Sequence, residues 1–143
     1  MSGATVLQNG RPKAYRPLPA DDRRRAFESA LEAYDRGDFF ETHELLEPAW
    51  MGTDDLAERA LHQGLIKLAA AFVHGVRGNP AGIAKNLTGA REHLEAALGT
   101  PPGEASGLEI AGLIEAIDER LTRLATDPTD ASIEAPALPR IQP

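Results

Sequence analysis

The stretch from Asp38 to Trp50 carries the residues of this chain that are best suited to chemistry. It contains His43, Glu44 and Glu47, so an imidazole and two carboxylates fall within little more than one helical turn. If the stretch is a helix, His43 shares a stripe of core residues with Phe39, Leu46 and Trp50. Glu44 and Glu47 lie one turn apart on the neighbouring edge, and Glu47 also lies one turn from His43. Such groups can bind divalent metals or act as general acids and bases. The spacing therefore predicts a small polar site.

A divalent metal is the first candidate ligand for this site. The chain contains no cysteine, so the ligands would have to be imidazole and carboxylate groups. We predict His43, Glu47 and His74 as the metal ligands, although the spacing does not fix the third one. A small polar ligand is the other possibility. The residues predicted to bind it are His43, Glu44, Glu47, Trp50, Gln63, His74 and Asn79.

Catalysis is a second hypothesis for the same residues. Glu44 or Glu47 would act as a general base whose pKa is raised by burial, with His43 or His74 as the acid. The sequence contains no glycine-rich phosphate loop, no serine nucleophile elbow and no cysteine. The reaction and the substrate are therefore left open.

Two alternatives need no bound ligand. The polar residues can form a buried network that fixes how two helices pack, and this is the interpretation we favour for His62. The domain can also be an interaction module or homo-oligomer, in which exposed aromatic and methionine side chains act as anchors. The anchors on this hypothesis are Phe39, Phe40, Trp50 and Met51.

Composition narrows the classes of partner. The net charge is −7, from 22 acidic and 15 basic residues spread along the chain, which argues against a nucleic-acid or membrane surface. The most apolar run, Ala60 to Val76, contains His62, Gln63, Lys67 and His74, and it is too short and polar to span a bilayer. The N-terminus carries no apolar signal-peptide core. We predict a cytoplasmic protein.

The elements that position these residues are all predicted to be helices. We expect an all-α bundle of about five helices in antiparallel pairs, spanning 21–126, with flexible tails at 1–20 and 127–143 and no strand. The tails are predicted from their prolines and weak apolar pattern. The first helix starts near Asp21 or Asp22 and stops at Gly37.

Capping patterns predict the other helix starts. Asp38 begins the second helix, in which Pro48 predicts a kink or a new turn. Thr53 or Asp54 caps the third helix, in which Lys67 is the only formal charge between Ala60 and Val76. This helix should be central, and Gly64 lets a neighbour approach closely. The starts of the last two helices are predicted at Asn79–Pro80 and at a Ser106/Glu109 capping box.

Four ordered blocks of the sequence resemble the signature of the domain of unknown function 309 family. The blocks are Phe40 to Glu47 with Trp50, Gln63 to Ile66 followed by Leu68 to Ala71, His74, and Gly78–Asn79. The resemblance spans about 21–98. It implies a small all-helical bundle and marks His43, Glu44, Glu47, Trp50, Gln63, Gly64, His74 and Asn79 as signature positions, but it implies no established activity.

Overall fold

The structure, a computed structural model, contains six helices and one hairpin in the part of the chain that it describes. That part comprises residues 4–8, 10–76, 79–130 and 132–141, without the side chains of 74–76. The elements are β1 (Ala4–Gln8), β2 (Arg11–Tyr15), α1 (Ala20–Asp35), α2 (Phe39–Met51), α3 (Leu56–Val76), α4 (Pro80–Ala97), α5 (Pro101–Ala105) and α6 (Ile110–Thr126). The all-α class is confirmed.

Helix α3 lies at the centre of the fold, as its apolar composition predicts. It packs against α2, α4 and α5, while α1 packs on α2 and α6 on α4. Leu65, Leu68 and Phe72 of α3 are buried, together with Leu87 and Leu94 of α4. The predicted site residues on α3 therefore lie on the central helix, and α2 packs directly against it.

Gly64 lies where α3 and α4 approach each other closely. A Cβ atom placed on Gly64 would lie 2.8 Å from Cγ of Leu94 and 3.3 Å from its backbone nitrogen. Leu94 is itself fully buried, so it has little room to move away. The predicted role of Gly64 in helix packing is confirmed.

We expect Gly64→Ala to lower the free energy of unfolding by about 1.5 kcal/mol, because overpacking outweighs the higher helix propensity of alanine. Gly89→Ala is the matched control. A Cβ on Gly89 would meet only the flexible side chain of Lys67, at 3.5 Å, so this change should stabilise the protein slightly. Urea denaturation followed by circular dichroism measures both. Equal effects of the two substitutions would contradict the packing role of Gly64.

Two of the predicted helix starts, at Asp38 and Asn79, are confirmed by side-chain caps. The Asp38 carboxylate accepts a hydrogen bond from the Glu41 N–H, and the Asn79 side chain accepts one from Gly82. Elsewhere the starts differ by a few residues. Asp55, not Thr53 or Asp54, accepts the Ala57 and Glu58 amides of α3. Glu109 alone caps α6.

Residues 4–8 and 11–15 pair as a β-hairpin where the sequence predicted no strand. β1 pairs antiparallel with β2, with Val6 opposite Lys13. Gly10, at the turn, has a φ of 75°, which a glycine adopts without strain. An Asn-Gly pair at 9–10 is a known hairpin signal, so the sequence did contain the information.

The segment after α6 also differs from the predicted flexible tail. Ile133, Pro136 and Leu138 are buried, and the Tyr34 hydroxyl donates a 2.7 Å hydrogen bond to the Pro136 carbonyl. The backbone N–H of Ile141 donates to the carbonyl of Gly107. These apolar residues, spaced among prolines, are buried without forming a helix. They therefore leave no helical periodicity in the sequence. The short helix α5 lies between the last two predicted helices and raises the number of described helices from the predicted five to six.

Candidate functional site

Helix α2 packs Phe39, Leu46 and Trp50 against the core, as predicted, but not His43. Its buried residues are Thr42, Leu46 and Ala49. His43 lies at the edge of this face with 34% of its side chain exposed, so the prediction that it sits among core residues is wrong. The Thr42 hydroxyl donates to the Asp38 carbonyl at 2.9 Å, which satisfies it inside the fold. Helix α2 also continues unbroken through Pro48, without a new turn.

The structure does bring His43, Glu44 and Glu47 together. Nδ1 of His43 lies 3.7 Å from a carboxylate oxygen of Glu44 and 3.7 Å from one of Glu47. Both distances are longer than a direct hydrogen bond. Both glutamates are exposed, so the three side chains form a loose, hydrated group on the surface.

The remaining predicted site residues serve other contacts or lie outside this group. The Trp50 indole N–H donates to Oε1 of Gln8 at 3.2 Å. Gln63 is half-buried in α3. Asn79 caps α4, and the side chain of His74 lies outside the described residues.

Among the described residues, no group of three or more histidine or acidic side chains is arranged to hold a metal ion. The proposed set His43, Glu47 and His74 includes one side chain beyond those residues, so it stays a prediction. No described helix is long and apolar enough to cross a membrane.

Arg59 is a buried residue that the sequence interpretation missed. Its side chain is fully buried, and its guanidinium donates to the Thr53 carbonyl at 2.7 Å, to Oε1 of Gln8 at 3.3 Å and to the Ala14 carbonyl. Burial lowers the pKa of Arg59. The guanidinium carbon also lies 4.9 Å from the centre of the Trp50 ring, a cation–π distance. Arg59 thus fastens the hairpin onto α2 and α3.

A second feature that the sequence interpretation missed is a cavity beside His62, which we call the α1–α3–α5 cavity. Its volume is about 230 Å³. Its lining comes from three helices: Ala20, Arg23, Arg24, Phe27, Glu28 and Leu31 of α1, Glu58, Leu61 and His62 of α3, and Pro102, Ala105 and Ser106 at α5.

His62 is buried in the wall of this cavity, and its Nδ1 atom has no hydrogen-bond partner in the described part of the chain. Its ring lies 5.8 Å from that of Phe27. Burial, with a smaller contribution from the nearby charge of Arg23, lowers the pKa of His62 to about 4, so the ring is neutral at neutral pH. An unpaired buried polar group costs about 1–3 kcal/mol. His62 therefore has a capacity for hydrogen bonding that the fold leaves unused.

The charged groups at the rim of the cavity are partly paired. The Arg23 guanidinium donates to both carboxylate oxygens of Glu58, at 2.6 and 3.3 Å, and to the Leu18 carbonyl. This pair joins α1 to α3. The signal that could have found the cavity is the histidine itself, one of the few polar residues in a mostly apolar run.

No curated protein and no solved structure matches this chain. The comparison with families of related sequences does find a match. Residues 27–86 match the family model described as domain of unknown function (DUF309), which confirms the resemblance over that range.

Proposed function

We propose that this protein is a helical interaction module that binds a basic segment of a partner protein through the outer face of α2. We define the outer face as Phe40, Glu41, Glu44 and Glu47, all of which are exposed. The observation that carries the proposal is the exposure of Phe40, whose ring is 62% accessible although Phe39 beside it packs against the core.

The spacing of the outer face suits helix recognition. Phe40, Glu44 and Glu47 follow one another at one-turn intervals, so an aromatic anchor is aligned with two carboxylates. Helix α2 contains no lysine or arginine. An exposed aromatic group bordered by charges of one sign complements a segment with an apolar residue flanked by lysine or arginine. The net charge of −7 would speed the encounter with such a segment.

Binding of a small ligand or a divalent metal at His43 is the second candidate. Its support is that the His43 Nδ1 lies 3.7 Å from a carboxylate oxygen of each glutamate, so three groups of the kinds that bind divalent ions lie near one another. A cytoplasmic location, predicted from composition, fits either candidate and stays a prediction.

A peptide array tests the module. We expect wild-type protein to bind basic peptides that contain one large apolar residue, and to bind less as salt increases. Phe40→Ala should weaken the best peptide at least tenfold, or about 1.4 kcal/mol, and Glu44→Gln should weaken it less. Leu56→Ala, which removes another exposed apolar side chain, is the control for Phe40.

Three results would count against this proposal. Phe40→Ala could bind as well as wild type, or Leu56→Ala could lose binding equally. The third result is that protein treated with a chelator binds no peptide until divalent ions are added back, which would favour the metal candidate. Sedimentation velocity of wild type and Phe40→Ala tests self-association through the same face.

A further inference from the structure

We infer that the α1–α3–α5 cavity is a binding site for a small, neutral aromatic molecule that carries one hydroxyl group. This inference does not depend on the proposed function, because the cavity shares no residue with the outer face of α2. It rests on the shape of the cavity, the character of its walls and the unpaired nitrogen of His62.

The size of the cavity suits a single aromatic ring. Its volume of about 230 Å³ exceeds the ~150 Å³ of an engineered apolar cavity that binds benzene. The deeper walls are apolar and come from Phe27, Leu31, Leu61 and Pro102. A planar apolar molecule would cover these side chains and remove them from water.

The charges around the cavity favour a neutral ligand. Arg23 is paired with Glu58, and the exposed Arg24 is balanced by the exposed Glu28. His62, in the wall, is neutral. An ionised ligand would lose its hydration without gaining a dedicated counter-charge, whereas a neutral one would not.

The hydroxyl group follows from the chemistry of a neutral imidazole. One ring nitrogen is a donor and the other an acceptor, and a hydroxyl can pair with either. The Nδ1 atom is covered and unpartnered in the ligand-free fold. Because Nδ1 is covered, the proposed contact requires the ring to turn about its Cβ–Cγ bond, which exchanges the positions of Nδ1 and Cδ2. The ligand thus supplies the partner that the fold lacks.

Phenol and toluene are the probes, because they have nearly the same shape and differ in one hydroxyl. Proton–nitrogen correlation NMR spectra of the full chain, recorded during each titration, would locate and quantify binding. We expect phenol to shift amides of α1, α3 and α5 around the cavity and to bind about tenfold more tightly than toluene.

Three variants make the test specific. His62→Leu should reduce phenol binding about tenfold and leave toluene binding unchanged. Ala105→Leu, an exposed position on the cavity wall, should block both probes by filling the space. Ala96→Leu, at an exposed position that does not line the cavity, should bind both probes like wild type.

Each alternative outcome would overturn the inference. If neither probe binds, or if the shifts fall on other elements, the cavity is not a ligand site. If phenol binds no better than toluene, or if His62→Leu leaves the preference for phenol intact, the hydroxyl and His62 have no role. Because Ala105→Leu changes an exposed residue, it keeps the test informative even if His62→Leu folds poorly.

Discussion

Arg59→Ala should lower the free energy of unfolding by on the order of 3 to 5 kcal/mol. The substitution leaves the carbonyls of Thr53 and Ala14 without a donor and empties the space beneath the Trp50 ring. It also removes a contact between the hairpin and α3, because Gln8 loses one of its two donors. Urea denaturation measures the loss, and Trp50 fluorescence should shift to the red in the folded variant as the ring gains water.

Two controls separate the charge of Arg59 from its geometry. Arg59→Lys keeps the charge but cannot donate to three separate acceptors in a plane, so it should recover only part of the stability. Arg25→Ala removes an exposed arginine and should change stability by less than about 0.5 kcal/mol. If Arg59→Ala were as mild as Arg25→Ala, the guanidinium would not hold the hairpin in place.

Acid should destabilise the fold through His62. The pKa of His62 falls from 6.5 to about 4 on folding because the ring is buried beside Arg23. The unfolded chain therefore binds the proton more tightly than the folded one. Stability is unaffected above pH 6.5, decreases as the pH falls through 6.5, and has lost roughly 3 kcal/mol from this group by pH 4.

Urea denaturation of wild type and His62→Leu across this pH range isolates the effect, since the carboxylates titrate in both proteins. As the pH falls, the free energy of unfolding of wild type should decrease more than that of His62→Leu. Parallel curves for wild type and His62→Leu would show that the buried ring does not resist protonation.

The helices could be predicted from the sequence because their signals are local. A cap such as Asp38 or Asn79 satisfies backbone amides within its own turn, and no distant residue is needed. The hairpin could not be predicted with the same certainty, since a two-stranded sheet is marginal alone. Here it depends on Gln8 and Ala14, which meet Arg59 of α3.

The candidate site was harder to predict than the fold. At helical spacing, both Thr42 and His43 lie on stripes that contain apolar residues, and the pattern alone did not decide which is buried. The hydrogen bond of Thr42 to its own helix made burial inexpensive for that residue. His62 and His43 are likewise both histidines near apolar neighbours. The cavity that distinguishes His62 arises only when α1 and α5 meet α3.

The packing of 133–138 bears on how the domain folds during synthesis. Tyr34 and Pro136 are joined by a hydrogen bond although 102 positions separate them. A contact of such long range requires a large loop to close, which slows folding and raises contact order. Until Leu138 has left the ribosome, Ile133 and Leu138 cannot complete the apolar core, and the emerging chain is then most open to aggregation or chaperone binding.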